Sequence, residues 1–102
     1  MEIRYKTKND SLTFYIYGEL DECSASNAKN YLDKIINDNL NTQKVIFDLS
    51  GLSFMDSTGI GLLIGRYKKL KNLKIPTYIE NPSFSVDKVF SVSGIYNLIP
   101  KL

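Results

Sequence analysis

Hydrophobic and polar positions alternate strictly at the start of the chain. Ile3, Tyr5 and Thr7 take turns with charged residues, and Leu12, Phe14 and Ile16 with Thr13, Tyr15 and Tyr17. A period of two predicts strands over residues 2–8 and 11–17. The Asn9-Asp10 pair between them suits a tight turn, so the opening reads as a β-hairpin. Gly18-Glu19-Leu20-Asp21 is expected to leave the sheet. From Ser24 the period lengthens: Ala25, Ala28, Leu32, Ile35 and Ile36 recur at helical spacing and predict an amphipathic helix over 25–39. Asp21, Ser24 and Ser26 are its candidate N-caps.

Residues 44–49 form an apolar run with a β-branched start, the pattern of a strand covered on both faces. A second helix is expected from Ser57 or Thr58, with Ile60, Leu63, Ile64, Tyr67 and Leu70 on one side. It ends in Lys68-Lys69-Leu70-Lys71, where cations complement the negative helix terminus. Ile75–Glu80 reads as another strand, and Asn81-Pro82 as the cap and first turn of a third helix. That helix carries Val86, Val89 and Phe90 and stops at Gly94; a short strand over 97–99 follows. The resulting order, β-β-α-β-α-β-α-β over residues 1–102, implies one α/β domain with a mixed sheet: right-handed crossovers joining parallel strands, plus an antiparallel hairpin.

Composition narrows the function. A chain of 102 residues with 43% hydrophobic content has room for one domain and one core. A net charge of +2 is too small to imply a polyanionic partner, and Arg66-Tyr67-Lys68-Lys69 is read as a solvated helix end, not a nucleic-acid site. The lone Cys23 excludes an intramolecular disulfide and a cysteine metal cluster. No secretory signal is seen and no apolar run reaches the ~20 residues of a membrane span, so the expectation is a soluble cytoplasmic domain. The chain has no histidine, which removes the usual general base near neutral pH and the commonest metal ligand. A binding or regulatory module is expected, without catalytic residues, metal or cofactor.

The chemistry concentrates in Met55-Asp56-Ser57-Thr58-Gly59-Ile60-Gly61, where two hydroxyls follow a carboxylate at the start of a helix. Capping is the plain explanation, since Asp, Ser and Thr are all favoured N-caps. Both hydroxyls cannot fill one cap position. If Asp56 or Thr58 caps, Ser57 projects into solvent. Gly59, Gly61 and Gly65 each weaken the helix by about 1 kcal/mol relative to alanine. Thr58, Gly61 and Gly65 fall on one narrow face almost without side chains, so something is expected to approach it closely: the domain's own sheet, or another protein. A nucleophile elbow is excluded because Met55 stands at its first glycine position and no histidine completes a triad. A phosphate-binding loop is excluded because Leu62 follows Gly61.

Four segments, Gly18-Glu19-Leu20-Asp21, Leu52 through Gly61, Gly65-Arg66-Tyr67-Lys68 and Ser93-Gly94-Ile95, together resemble the bacterial anti-sigma factor antagonists of the STAS domain family. Within the family, the Gly-Arg-Tyr-Lys continuation is most like the sporulation branch, which acts in the forespore sigma factor pathway. The resemblance implies that Ser57 is a phosphoacceptor and that Asp21, Asp56, Ser57, Thr58, Gly59 and Gly61 meet the partner. That partner is implied to be an anti-sigma factor that is also a serine kinase, with ATP bound on the kinase. Unphosphorylated antagonist holds the kinase and frees a sigma factor; phosphorylation releases it, and a serine phosphatase resets it. The alternative is a phosphorylation-independent STAS accessory or scaffold of a transport or signalling complex. Relatives usually continue into a further helix, which is expected to be absent here because the chain stops at Leu102.

Overall fold

The computed structural model describes residues 1–102. Its elements are β1 (Glu2–Lys8), β2 (Ser11–Leu20), α1 (Ala25–Asn37), β3 (Lys44–Asp48), β4 (Leu52–Met55), α2 (Ser57–Asn72), β5 (Thr77–Glu80) and α3 (Phe84–Ser93), followed by a 3-10 turn at Ile95–Asn97. The hairpin forms as its alternation predicts, with Glu2 opposite Tyr17 and Lys8 opposite Ser11. Asn9 and Asp10 both take positive φ, 51° and 64°, the sign a type I′ turn demands at its two central residues.

The sheet runs β1-β2-β3-β5, with β2 antiparallel to β1 and parallel to β3. One face of it carries Leu12, Phe14 and Ile16 from β2, Val45 and Phe47 from β3, and Ile79 from β5. Phe14 and Phe47 are register partners and stack at 5.5 Å between ring centroids. Onto this face pack Leu32 and Ile36 of α1, Leu63 and Leu70 of α2, and Val86 and Phe90 of α3, all in one cluster of buried side chains. At about 25 cal/mol per Å2, burying each large side chain contributes roughly 1.5–3 kcal/mol, so this shared cluster is the main stabilising element. β3 is buried along both sides, as its apolar run predicts, although Ile46 lies outside the helix-covered cluster with Thr13 and Tyr78 as register neighbours.

Four expectations need correction. Gly18–Leu20 does not leave the sheet: β2 extends to Leu20, and its last residues pair with β4, a strand the sequence pattern missed. β4 continues the line of β3 along β2, with a further slip between Gly18 and Glu19. α1 ends at Asn37, two residues early. The third helix begins at Phe84, because Asn81 adopts φ 50° and therefore turns the chain instead of capping; Ser83 occupies the cap position. The strand predicted at 97–99 does not form: a 3-10 turn at Ile95–Asn97 runs into a turn and bend at Leu98 and Ile99. The 3-10 turn follows Gly94, whose φ of 80° reverses the chain, and only Lys101 bridges in parallel to Ile79.

Candidate functional site

α2 starts where β4 ends, so the Asp-Ser-Thr-Gly segment sits on a strand-to-helix turn. Asp56 is the N-cap: its backbone is extended, and its Oδ1 accepts from the Gly59 amide at 3.1 Å. Its second oxygen, Oδ2, accepts from the Glu22 amide at 3.2 Å, tying the β2–α1 loop to the same helix end. One carboxylate thus satisfies amides from two distant segments, which a charged acceptor does about twice as strongly as a neutral one.

With the cap filled by Asp56, Ser57 and Thr58 occupy the first helical positions. Both are exposed, and neither hydroxyl is engaged in a hydrogen bond within the chain. The first-turn amides and the helix dipole point toward that surface, an environment that favours negative charge. Asp21 lies in the adjoining loop. Its Oδ1 accepts from the amides of Cys23 and Ser24, both at 3.0 Å, and from the Ser24 hydroxyl at 3.2 Å. Asp21 therefore shapes the entry to α1, whereas Ser24, at the cap position, makes no side-chain cap bond to the helix and Ser26 lies inside it. The Asp56–Glu22 bond brings this acidic loop beside Ser57.

The three glycines separate into two kinds. Gly59 is buried against the chain's own backbone: a Cβ there would lie 2.5 Å from the Leu20 carbonyl oxygen and 2.8 Å from Met55 Cγ. The sheet is what approaches Gly59. At Gly61 and Gly65 nothing lies within 4 Å of an added Cβ, so the domain's own sheet does not account for them. Instead they form one wall of an open groove of about 280 Å3 between α2 and α1, with Thr58 on the same wall and Ala25, Ser26 and Lys29 opposite. At its far end Arg66 of α2 meets Asp33 of α1 at 3.0 Å, and Lys69 approaches the same carboxylate at 3.6 Å. The α1 side of this groove was not identified from sequence. Its signal is faint, because Ala25, Ser26 and Lys29 are ordinary residues for an exposed helix start. Asp21, Asp56, Ser57 and Thr58 come together at one pole, and Gly61 extends that surface along α2; Gly59, expected from the sequence to meet the partner, is instead buried inside the domain against Leu20 and Met55.

The chain belongs to the STAS domain family, whose profile it matches over residues 2–102. It is 35% identical over 86 residues to the anti-sigma F factor antagonist of Lysinibacillus sphaericus, an alignment covering 84% of this chain and 73% of that protein. Its fold is similar to that of the anti-sigma factor antagonist SpoIIAA in its unphosphorylated form, with a TM-score of 0.80 and 27% identity over 99% of this chain and 88% of the other. SpoIIAA of Bacillus in its phosphorylated form is also similar, with a TM-score of 0.72, 26% identity and coverage of 99% and 91%. The single STAS domain with a mixed sheet and three helices agrees with the α/β architecture expected from the sequence. No helix is long and apolar enough to cross a membrane.

Proposed function

We propose that this protein is an anti-sigma factor antagonist, switched by phosphorylation of Ser57. The observation that carries the reading is the division of labour at the α2 start. Asp56 does the capping, leaving Ser57 exposed and unbonded beside a groove that the chain itself does not fill. Unphosphorylated, the surface of Asp21, Asp56, Ser57, Thr58 and Gly61 docks on an anti-sigma factor that is also a serine kinase and frees its sigma factor. ATP sits on the kinase; the antagonist itself contributes no catalytic group. A serine phosphatase reverses the modification.

The energetics favour exclusion over refolding. Phosphoserine carries about −1.5 to −2 charge at neutral pH. At a helix N-terminus, negative charge gains ~0.3–1 kcal/mol, so the free domain keeps its fold. In a docked interface the neighbouring Asp56 and Asp21 carboxylates are less screened. Two unit charges 4 Å apart interact by ~1 kcal/mol in water and ~4 kcal/mol at an effective dielectric of 20. Desolvating the phosphate adds to that cost. A loss of ~4 kcal/mol is roughly a thousandfold in affinity.

The test is incubation with an anti-sigma serine kinase and ATP, followed by phosphopeptide mapping and binding measurements. Phosphate is expected on Ser57, with Ser57→Ala bound permanently and Ser57→Asp folded but weakly bound. Phosphate on Thr58 alone, or wild-type binding by Ser57→Asp, would sink the assignment. Tight kinase binding without any phosphate transfer would favour the phosphorylation-independent scaffold.

A further inference from the structure

The far end of α2 also borders a cleft. Roughly 21 Å along the helix from Ser57, at 1.5 Å per residue, its last turn and the start of β5 enclose a cleft of about 260 Å3. Tyr67, Leu98 and Pro100 give it apolar walls, and Lys71 and Lys74 stand among its lining residues. Thr77, also lining it, is only 4% exposed, and its hydroxyl is buried with no hydrogen-bond partner. Buried polar side-chain atoms are nearly always paired, so an orphan just beneath the wall of a cleft is a donor that a bound molecule can satisfy when the wall yields.

Lys74 adds an independent sign. α2 closes with the Ile75 amide donating to the Leu70 carbonyl and the Lys74 amide to the Lys71 carbonyl, both at 2.9 Å. This is the pattern that places the residue after the helix end in the left-handed region, where glycine is the usual choice. Lys74 holds φ 61° there. Lys74, which also lines the cleft, thus keeps a conformation that suits glycine at a cost in backbone strain. Lys71 lies over the Tyr67 ring, 6.0 Å from its centroid, so a cation and an aromatic wall are already adjacent. Mostly apolar walls with a few polar groups are the usual make-up of a small-molecule site, here at the small end of the size range.

We propose that this cleft binds a small amphipathic carboxylic acid. Its hydrocarbon body lies against Tyr67, Leu98 and Pro100. Its carboxylate pairs with Lys71 and Lys74 and accepts a hydrogen bond from Thr77. The site is separate from Ser57 and does not depend on the antagonist reading. The test is a heteronuclear NMR titration of the full chain with sodium octanoate, using acetate and octylammonium as controls. Saturable shifts are expected at amides of residues 67–78 and 98–101, absent with acetate, which lacks the body, and with octylammonium, which has the wrong charge. Lys71→Ala with Lys74→Gly should weaken octanoate at least ~10-fold, since both cations that pair with the carboxylate are removed, while the fold is kept because glycine suits that φ. Thr77→Val should raise the melting temperature and weaken octanoate by several-fold. Equal binding of octylammonium, shifts scattered elsewhere, or wild-type affinity in both the lysine and the Thr77→Val variants would overturn the proposal.

Discussion

Replacing Gly61 and Gly65 together by alanine separates folding from docking, because the two effects are expected to have opposite signs. Neither position has a neighbour within 4 Å of the new methyl group, so no steric cost arises inside the domain. Each substitution recovers about 0.8–1.0 kcal/mol of helix propensity, hence close to ~2 kcal/mol for the pair. For a domain of this size, 1 kcal/mol moves the melting temperature by roughly 4–8 °C, so the pair should raise it by ~8–16 °C. The same methyl groups intrude into the groove against α1, and a closely seated partner must move away or lose contact. Overpacking of this kind costs ~1–3 kcal/mol, a loss of affinity of roughly 5- to 150-fold. Calorimetry on the free protein and titration against the proposed kinase partner measure the two quantities separately. A double variant that melts no higher than wild type refutes the open-groove geometry. One that melts higher and binds unchanged removes the groove from the docking surface.

Gly59→Ala should behave the other way: a Cβ at 2.5 Å from the Leu20 oxygen forces the strand and helix apart, and overpacking of about 1–3 kcal/mol outweighs the propensity gain, which urea unfolding would register as a lower midpoint. At the other end of the chain, Asp87 accepts from the Tyr96 hydroxyl at 2.5 Å and from Lys101 at 3.0 Å, and these contacts, the tyrosine first, hold its carboxyl below the usual range. A depressed folded value means that its contribution is present above the ordinary carboxylate range near pH ~4 and is lost on acidification through the folded value. The stability difference between wild type and Asp87→Asn, followed by thermal melts from neutral to acid pH, should therefore shrink below that range. Burial first, and then Asp87, pushes the Tyr96 phenol up, so the protein should also lose stability as pH rises past ~10, the unfolded phenol's range, and Tyr96→Phe should lack that alkaline loss.

Periodicity made the hairpin, the three helices and the buried strands legible, because each is long enough for its face to repeat. β4 was not, since Leu52 and Met55 are buried while Ser53 and Phe54 between them are exposed. The register slip against β2 breaks the alternation that would have marked it. The start of α3 was misread for a local reason: an Asn-Pro pair suggests a cap, but the hydroxyls of Ser83 and Ser85 reach the Leu52 and Ser53 carbonyls and fix the helix against β4 from two residues further on. At the candidate site, the residue types announced a capped helix start with a spare hydroxyl. Which residue capped was open until the Asp56–Gly59 bond was seen, and so was the different fate of Gly59 and its two companions. Distances across the fold decide both, and sequence spacing does not contain them.

Because a single carboxylate clasps the amides of Glu22 and Gly59, the two segments share one latch. Solvent hydrogen should reach both amides at correlated rates, and Asp56→Ala should speed both together. A partner that grips either segment would thereby stiffen the other, so recognition can be spread over two stretches of chain while paying the ordering entropy for one.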